Sequence, residues 1–141
     1  MKIAVQGTDG HMGSLLVNEI QDREGMECCD LATTENGFDI IIDFSHPDNL
    51  NEICRKAAAN GVPAIIATTG LSQEQEEQIA ALAKKVPVVY TANFSLGITV
   101  MKRVLSQISP ILKDSFDMEM VERHHRRKLD APSGKIGRAH V

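Results

Sequence analysis

The chain has 141 residues, 43% of them hydrophobic and 24% charged, with a net charge of −4 at pH 7. That length allows a real core, burying roughly two thirds of the surface an unfolded chain exposes, while the acidic balance argues against a general nucleic-acid binder. No apolar run reaches the ~20 residues a membrane span needs, and the Met1-Lys2-Ile3-Ala4-Val5 start is too short for a signal peptide. Cys28, Cys29 and Cys54 show no Cys-x-x-Cys spacing, so a cytoplasmic protein with reduced thiols and no metal site is expected.

Lys2 to Gln6 is a short apolar run closed by Gly7, and Gly7-Thr8-Asp9-Gly10-His11-Met12-Gly13 leads into Ser14-Leu15-Leu16-Val17-Asn18-Glu19-Ile20, whose apolar residues recur with helical spacing. This is strand, glycine turn, helix. Gly7 and Gly10 let the backbone turn tightly and approach a pyrophosphate, Gly13 lets the helix pack on the strand, and the helix N-terminus offers N–H groups to an anion. The Gly-x-x-Gly-x-x-Gly spacing is a variation on the dinucleotide fingerprint. An acid about 20 residues further on would hold the ribose hydroxyls. Asp30, at the end of the expected strand Met26 to Leu31, is the candidate, with Glu27 and Glu35 as rivals, and the choice between NADH and NADPH stays open.

Phe38 to Phe44 is a β-branched run of the kind that forms a parallel strand covered on both faces. Ser45-His46-Pro47-Asp48 caps a helix that stops at Asn60-Gly61. Val62 to Ala67 is the next strand, ending in Thr68-Thr69-Gly70, and Ser72 opens a helix with glutamates in its first turns. Val86 to Thr91 makes a fifth strand, closed by Ala92-Asn93-Phe94-Ser95, before an amphipathic segment from Leu96 to Lys113. The fold expected is α/β, a Rossmann-type doubly wound parallel sheet over residues 1–114. Its ligand crevice lies beyond the carboxyl ends of the strands, where Phe44, the Thr68-Thr69 hydroxyls, Asn93 and Phe94 are gathered.

From residue 115 the pattern changes. Phe116, Met118 and Met120 alternate with Asp117 and Glu119, as in a strand with one buried face. Then comes Glu122-Arg123-His124-His125-Arg126-Arg127-Lys128-Leu129-Asp130-Ala131-Pro132-Ser133-Gly134. Paired histidines titrate near neutral pH, the flanking cations attract an anion, and Asp-Ala-Pro-Ser-Gly is turn chemistry that can open a helix onto a carboxylate. The combination points to an anionic substrate that receives a proton. The six Lys/Arg between Arg123 and Arg138 also fit an RNA-binding segment, against which stand the net charge and the lack of interleaved aromatics.

Gly-x-x-Gly-x-Met-Gly, Ile-Asp-Phe-Ser, Ala-Thr-Thr-Gly, Ala-Asn-Phe-Ser-Leu-Gly and Glu-x-His-His-x-x-Lys-x-Asp-Ala-Pro-Ser-Gly, in that order over residues 1–134, resemble 4-hydroxy-tetrahydrodipicolinate reductase, the dihydrodipicolinate reductase family of lysine and diaminopimelate biosynthesis. The resemblance implies reduction of a cyclic imine dicarboxylate by NADH or NADPH and a second α+β domain that binds substrate and makes a homotetramer. It implies His124 and Lys128 as the proton-donating pair, and His125, Ser133, Gly134 and Thr69 as substrate contacts. Gly7, Thr8, Asp9, Gly10, His11, Met12, Gly13, Asp30, Phe44, Ala67, Thr68, Thr69, Thr91, Ala92, Asn93 and Phe94 would line the cofactor. No nucleic acid or membrane partner is implied.

Two departures accompany the resemblance. The segment between the glycine loop and Asp43 is short for the family, and the substrate domain has only begun, over residues 115–134, when the chain ends, so the alternative expectation for this chain alone is a fragment that binds dinucleotide without turnover. Residues 135–141 are expected to be non-native, because Ile136-Gly137-Arg138-Ala139-His140-Val141 matches a reading frame of a common sequencing adapter.

Overall fold

The computed structural model describes residues 1–119 and 121, and the chain divides into two compact units after Thr91. In the first unit, β1 (Lys2–Gln6), β2 (Glu27–Asp30), β3 (Ile40–Asp43), β4 (Ala64–Ile66) and β5 (Val88–Tyr90) form one sheet of order β2-β1-β3-β4-β5. Every pairing is parallel, with Ala4 opposite Cys29 on one side and Ile41 on the other. Helices α1 (His11–Gln21), α2 (Leu50–Asn60) and α3 (Gln73–Leu82) cover its faces. Because side chains alternate along a strand, Ile3 and Val5 pack with Ile20 of α1, while Ala4, Ile41, Ala64 and Ile66 pack with Leu50, Ile53, Ile79 and Leu82 of α2 and α3. The expected Rossmann-type α/β sheet is the one observed.

Helix boundaries follow local chemistry. Helix α2 ends on Gly61 in the left-handed region, the stop expected at Asn60-Gly61. Helix α3 starts in a capping box in which Ser72 accepts from the Gln75 amide and the Gln75 side chain accepts from the Ser72 amide. His46 caps a single 3₁₀ turn, Pro47–Asn49, ahead of α2. Helix α1 begins at His11, three residues earlier than the apolar spacing from Ser14 suggests, because Gly10 is extended and already supplies the carbonyl that accepts from the Ser14 amide at 2.9 Å.

The short segment noticed in the sequence is the crossover from β2 to β3. Parallel strands are ordinarily joined by about a dozen residues or more, usually including a helix; here Leu31 to Asp39 passes β1 with neither. Its carbonyls are met instead by α2. Lys56, only 1% exposed, donates from Nζ to Leu31 O at 2.6 Å and Thr34 O at 3.0 Å, and Asn60 Nδ2 donates to Glu35 O at 3.0 Å. The ammonium is paired with Glu35 at 3.2 Å and Glu52 at 3.3 Å, both of which also bind Arg55. Leu31 and Phe38 anchor the ends of the crossover in the core.

In the second unit α4 (Leu96–Leu112) is capped by the Ser95 hydroxyl, which accepts from the Ile98 amide, and Asn93 Oδ1 accepts from the Ser95 amide at 3.1 Å. Pro110 lies in the last turn, where it has no N–H to give the helix ladder, and the helix ends two residues later at Leu112. The alternating segment from Phe116 does not form a strand over its described residues: Phe116 is a bend and Asp117 to Glu119 are irregular. A strand exists by pairing, and no described residue pairs with this one.

Replacing Lys56 with Met should lower stability by about 1–3 kcal/mol, the usual cost of leaving buried carbonyls without a donor. Urea denaturation reads it, and an unchanged midpoint would mean that the carbonyls find other partners. The Arg55 guanidinium, hydrogen-bonded to Glu52, holds that carboxyl at about 2, against its ordinary 4.5. A depressed folded-state value gives stability that is complete above pH 4.5 and lost as the pH falls towards 2. Across that window the melting temperature of Glu52→Gln should therefore converge on that of the wild type.

Candidate dinucleotide-binding site

The strand order places β1 and β3 side by side with their following helices on opposite faces, so the crevice of the sheet opens where Gly7 to Gly13 and Phe44-Ser45 meet. Gly7 has φ +86°, and a Cβ built there would lie 2.9 Å from Ser45 Cβ and 3.0 Å from Phe44 O. A side chain on Gly13 would fall inside the Gly7 carbonyl. Backbone meets backbone at both positions, which requires glycine. The Gly10 amide closes the loop by donating to Gly7 O at 3.0 Å.

Helix α1 therefore starts against a bare loop. Gly10 has no side chain with which to cap it, and its first turn contains no acid. The amides of His11, Met12 and Gly13 begin a helix whose positive dipole end faces the crevice, the arrangement that binds phosphate. The two glycines let the loop and the helix close on each other and on Ser45, and the amides at the uncapped start of α1 are donors of the kind a pyrophosphate would accept.

The ends of the other strands line up with this loop. The Ser45 amide donates to Thr68 Oγ1 at 3.2 Å, the Ala67 amide to Asp43 O and the Thr91 amide to Ile66 O, so Phe44, Ala67, Thr68 and Thr91 all follow strands whose carboxyl ends are in register. Thr68 is buried and Thr69 exposed. Asp30 is the last residue of β2, and its carboxylate accepts from the Ala32 amide at 2.9 Å. It shares a cleft of about 290 Å³ with Thr8, Ser14, Asn18 and Cys28. Of its rivals, Glu27 is the first residue of β2, and Glu35 is tied to Arg55 at 2.8 Å, whose hydrogen bond holds the carboxyl below its usual value. Burial raises the Cys28 and Cys54 thiols, which keeps them protonated.

Ala92, Asn93 and Phe94 belong to the second unit. His124, His125, Lys128, Ser133 and Gly134 lie outside the described residues. The sequence reading did not single out Asp43 or Lys56. Asp43 ends an apolar run as any terminating acid would, whereas Lys56 had a faint signal: it follows Ile53 by three residues and precedes Ala57, inside the buried stripe of α2.

A parallel sheet with a glycine loop at the carboxyl end of its first strand and an uncapped helix behind it defines a Rossmann-type α/β protein. Residues 28–94 match the family described as dihydrodipicolinate reductase, N-terminus, and residues 97–138 its C-terminus. The chain belongs to the dihydrodipicolinate reductase family. It is 36% identical over 153 residues to the 4-hydroxy-tetrahydrodipicolinate reductase of Sulfurovum sp. (strain NBC37-1), covering 94% of this chain and 60% of that protein. With the protein of the same name from Alkaliphilus metalliredigens (strain QYMF) it shares 37% over 141 residues, 95% of this chain and 59% of the relative. A dipicolinate-bound dihydrodipicolinate reductase from Paenisporosarcina sp. TG-14 superposes with a TM-score of 0.69 at 27% identity, covering 97% of this chain and 63% of that one. The chain thus spans about 60% of the length of these relatives.

Gly13→Ala should destabilise the first unit by about 1–3 kcal/mol, the range for overpacking. Gly97→Ala, where a Cβ would meet nothing closer than 3.8 Å, is the control, expected to be neutral or mildly stabilising. Equal melting temperatures for the two variants would contradict the close approach of Gly13 to Gly7.

Proposed function

We propose that this chain serves the reduction of 4-hydroxy-tetrahydrodipicolinate, a cyclic imine dicarboxylate, by NADH or NADPH in lysine and diaminopimelate biosynthesis. The observation that carries the proposal is the glycine cradle at the open N-terminus of α1, in a chain of this family. The amides from Gly7 to Gly13 hold the pyrophosphate, with Thr8, Asp9, His11 and Met12 around it. Asp30, at the carboxyl end of β2, accepts from a ribose hydroxyl. Phe44, Ala67, Thr68, Thr69, Thr91, Ala92, Asn93 and Phe94 line the rest of the cofactor.

The bound nicotinamide supplies a hydride. His124 and Lys128 provide the proton that quenches the negative charge developing on the ring. The Lys128 cation and the neighbouring arginines favour that charge, while His125, Ser133, Gly134 and Thr69 hold the dicarboxylate. The dipicolinate bound to the Paenisporosarcina relative is a ring dicarboxylate of the same kind, which supports this substrate class. The assembly this reading implies is a homotetramer in the cytoplasm. Among the described residues no helix is long and apolar enough to cross a membrane.

Titration with NADH and with NADPH, followed by nicotinamide fluorescence, should give saturable binding of at least one; no change with either would refute the cofactor site. Adding freshly made substrate then separates turnover from binding alone. Where turnover occurs, His124→Gln should reduce it by about 10²–10⁴-fold, as loss of a general acid does, and leave cofactor affinity unchanged.

A further inference from the structure

Asp43 is completely buried at the carboxyl end of β3, and the reaction proposed above gives it no part. One of its oxygens takes both donors of a single residue: Oδ1 accepts from the Ser45 amide at 3.0 Å and from the Ser45 hydroxyl at 2.5 Å. The Ser45 hydroxyl in turn accepts from Asn49 Nδ2 at 3.1 Å, and the Ser45 amide is shared with Thr68 Oγ1. Backbone and side chain of Ser45 are therefore both fixed. Ser45 is the residue whose Cβ stands where a Cβ on Gly7 would go. Gly7 O receives the Gly10 amide and lies against Gly13, the third residue of α1. The line of contact runs from a buried carboxylate through Ser45 and Gly7 to the amides at the start of α1.

A second observation sets Asp43 apart from an ordinary buried acid. Its Oδ2 has no hydrogen-bond partner, and neither does the buried Oε1 of Gln6. The two residues are directly opposed in the β1–β3 register, so their side chains leave the sheet on one face. Leaving a buried carboxylate half satisfied is unfavourable, and it persists here with the other oxygen wholly committed to Ser45.

We propose that Asp43 is a positioning residue for the pyrophosphate-binding loop. It locks Ser45 as the wall that sets the height of Gly7, and with it the aim of the α1 amides. The proposal rests on the cofactor reading above, and the experiment keeps the two apart.

Dissociation constants for NADH or NADPH, whichever binds, and melting temperatures are measured for the wild type, Asp43→Ala, Asp43→Asn and Ser45→Ala. Asp43→Ala removes both bonds to Ser45 and should weaken binding by about tenfold or more at temperatures where it remains folded, since a loosened support displaces the groups it holds. Asp43→Asn keeps an acceptor for Ser45 and adds a donor on the side of Gln6, so it should recover most of that affinity. Ser45→Ala keeps the amide bond to Asp43 but loses the hydroxyl's bonds with Asp43 and Asn49, and should fall between the two. A folded Asp43→Ala that binds the dinucleotide as the wild type does would overturn the proposal, reducing Asp43 to a packing residue whose loss lowers only the melting temperature. If Asp43→Ala does not fold, the other two decide: Ser45→Ala weakened and Asp43→Asn near wild type supports positioning, and any other pattern refutes it. A wild type that binds neither dinucleotide refutes the cofactor reading, and the positioning role falls with it.

Discussion

A chain that must travel from β2 past β1 to β3 in a few residues cannot cover its own carbonyls, and the fold depends on how that is resolved. Lys56 resolves it from α2. Its stem lies in the apolar face of the helix, and its ammonium reaches two backbone oxygens and two carboxylates. A lysine is ordinarily placed in water, but here the desolvation is offset by four oxygen partners. The result is that β1 lies inside the sheet, flanked by β2 and β3, and the residues following it emerge at the crevice instead of at an edge.

From that placement the site follows with few further requirements. Three backbone segments come together at the carboxyl ends of β1 and β3: the Gly7 turn, the first turn of α1, and Phe44-Ser45. None of the contacts that join them leaves room for a side chain on the glycine member. Behind the cradle, side-chain chemistry enters through Asp43, Ser45, Asn49 and Thr68.

Most of the sheet was legible in the sequence because β1, β3, β4 and β5 lie in short apolar runs bounded by turn residues, whereas β2, Glu-Cys-Cys-Asp, carries no such run and gave the weakest signal. The Asn60-Gly61 stop and the Ser72 cap were legible because their mechanism is local. What was not legible depends on contacts made across the fold. The start of α1 reads late in the sequence because the apolar spacing begins only at Ser14, while the first turn, His11-Met12-Gly13, is set by the Gly10 carbonyl. The buried state of Lys56 depends on carbonyls some twenty residues away in the chain. Asp43 reads as the acid that ends a strand, and what distinguishes it is the pair of hydrogen bonds from Ser45 together with its unpartnered Oδ2. Within the candidate site, the glycine cradle was visible as spacing, while the supports that hold it were not.

The uncapped start of α1 bears on how this protein would respond to a ligand. A helix whose first amides lack partners is least stable at that end, so the turn that greets an anion is also the one most ready to fray without it. Whatever phosphate settles there completes the helix as a serine or aspartate side chain would elsewhere. Ligand binding and local folding become one equilibrium, and occupancy of the crevice would be felt along α1 and, through Ile20, in the core beneath it.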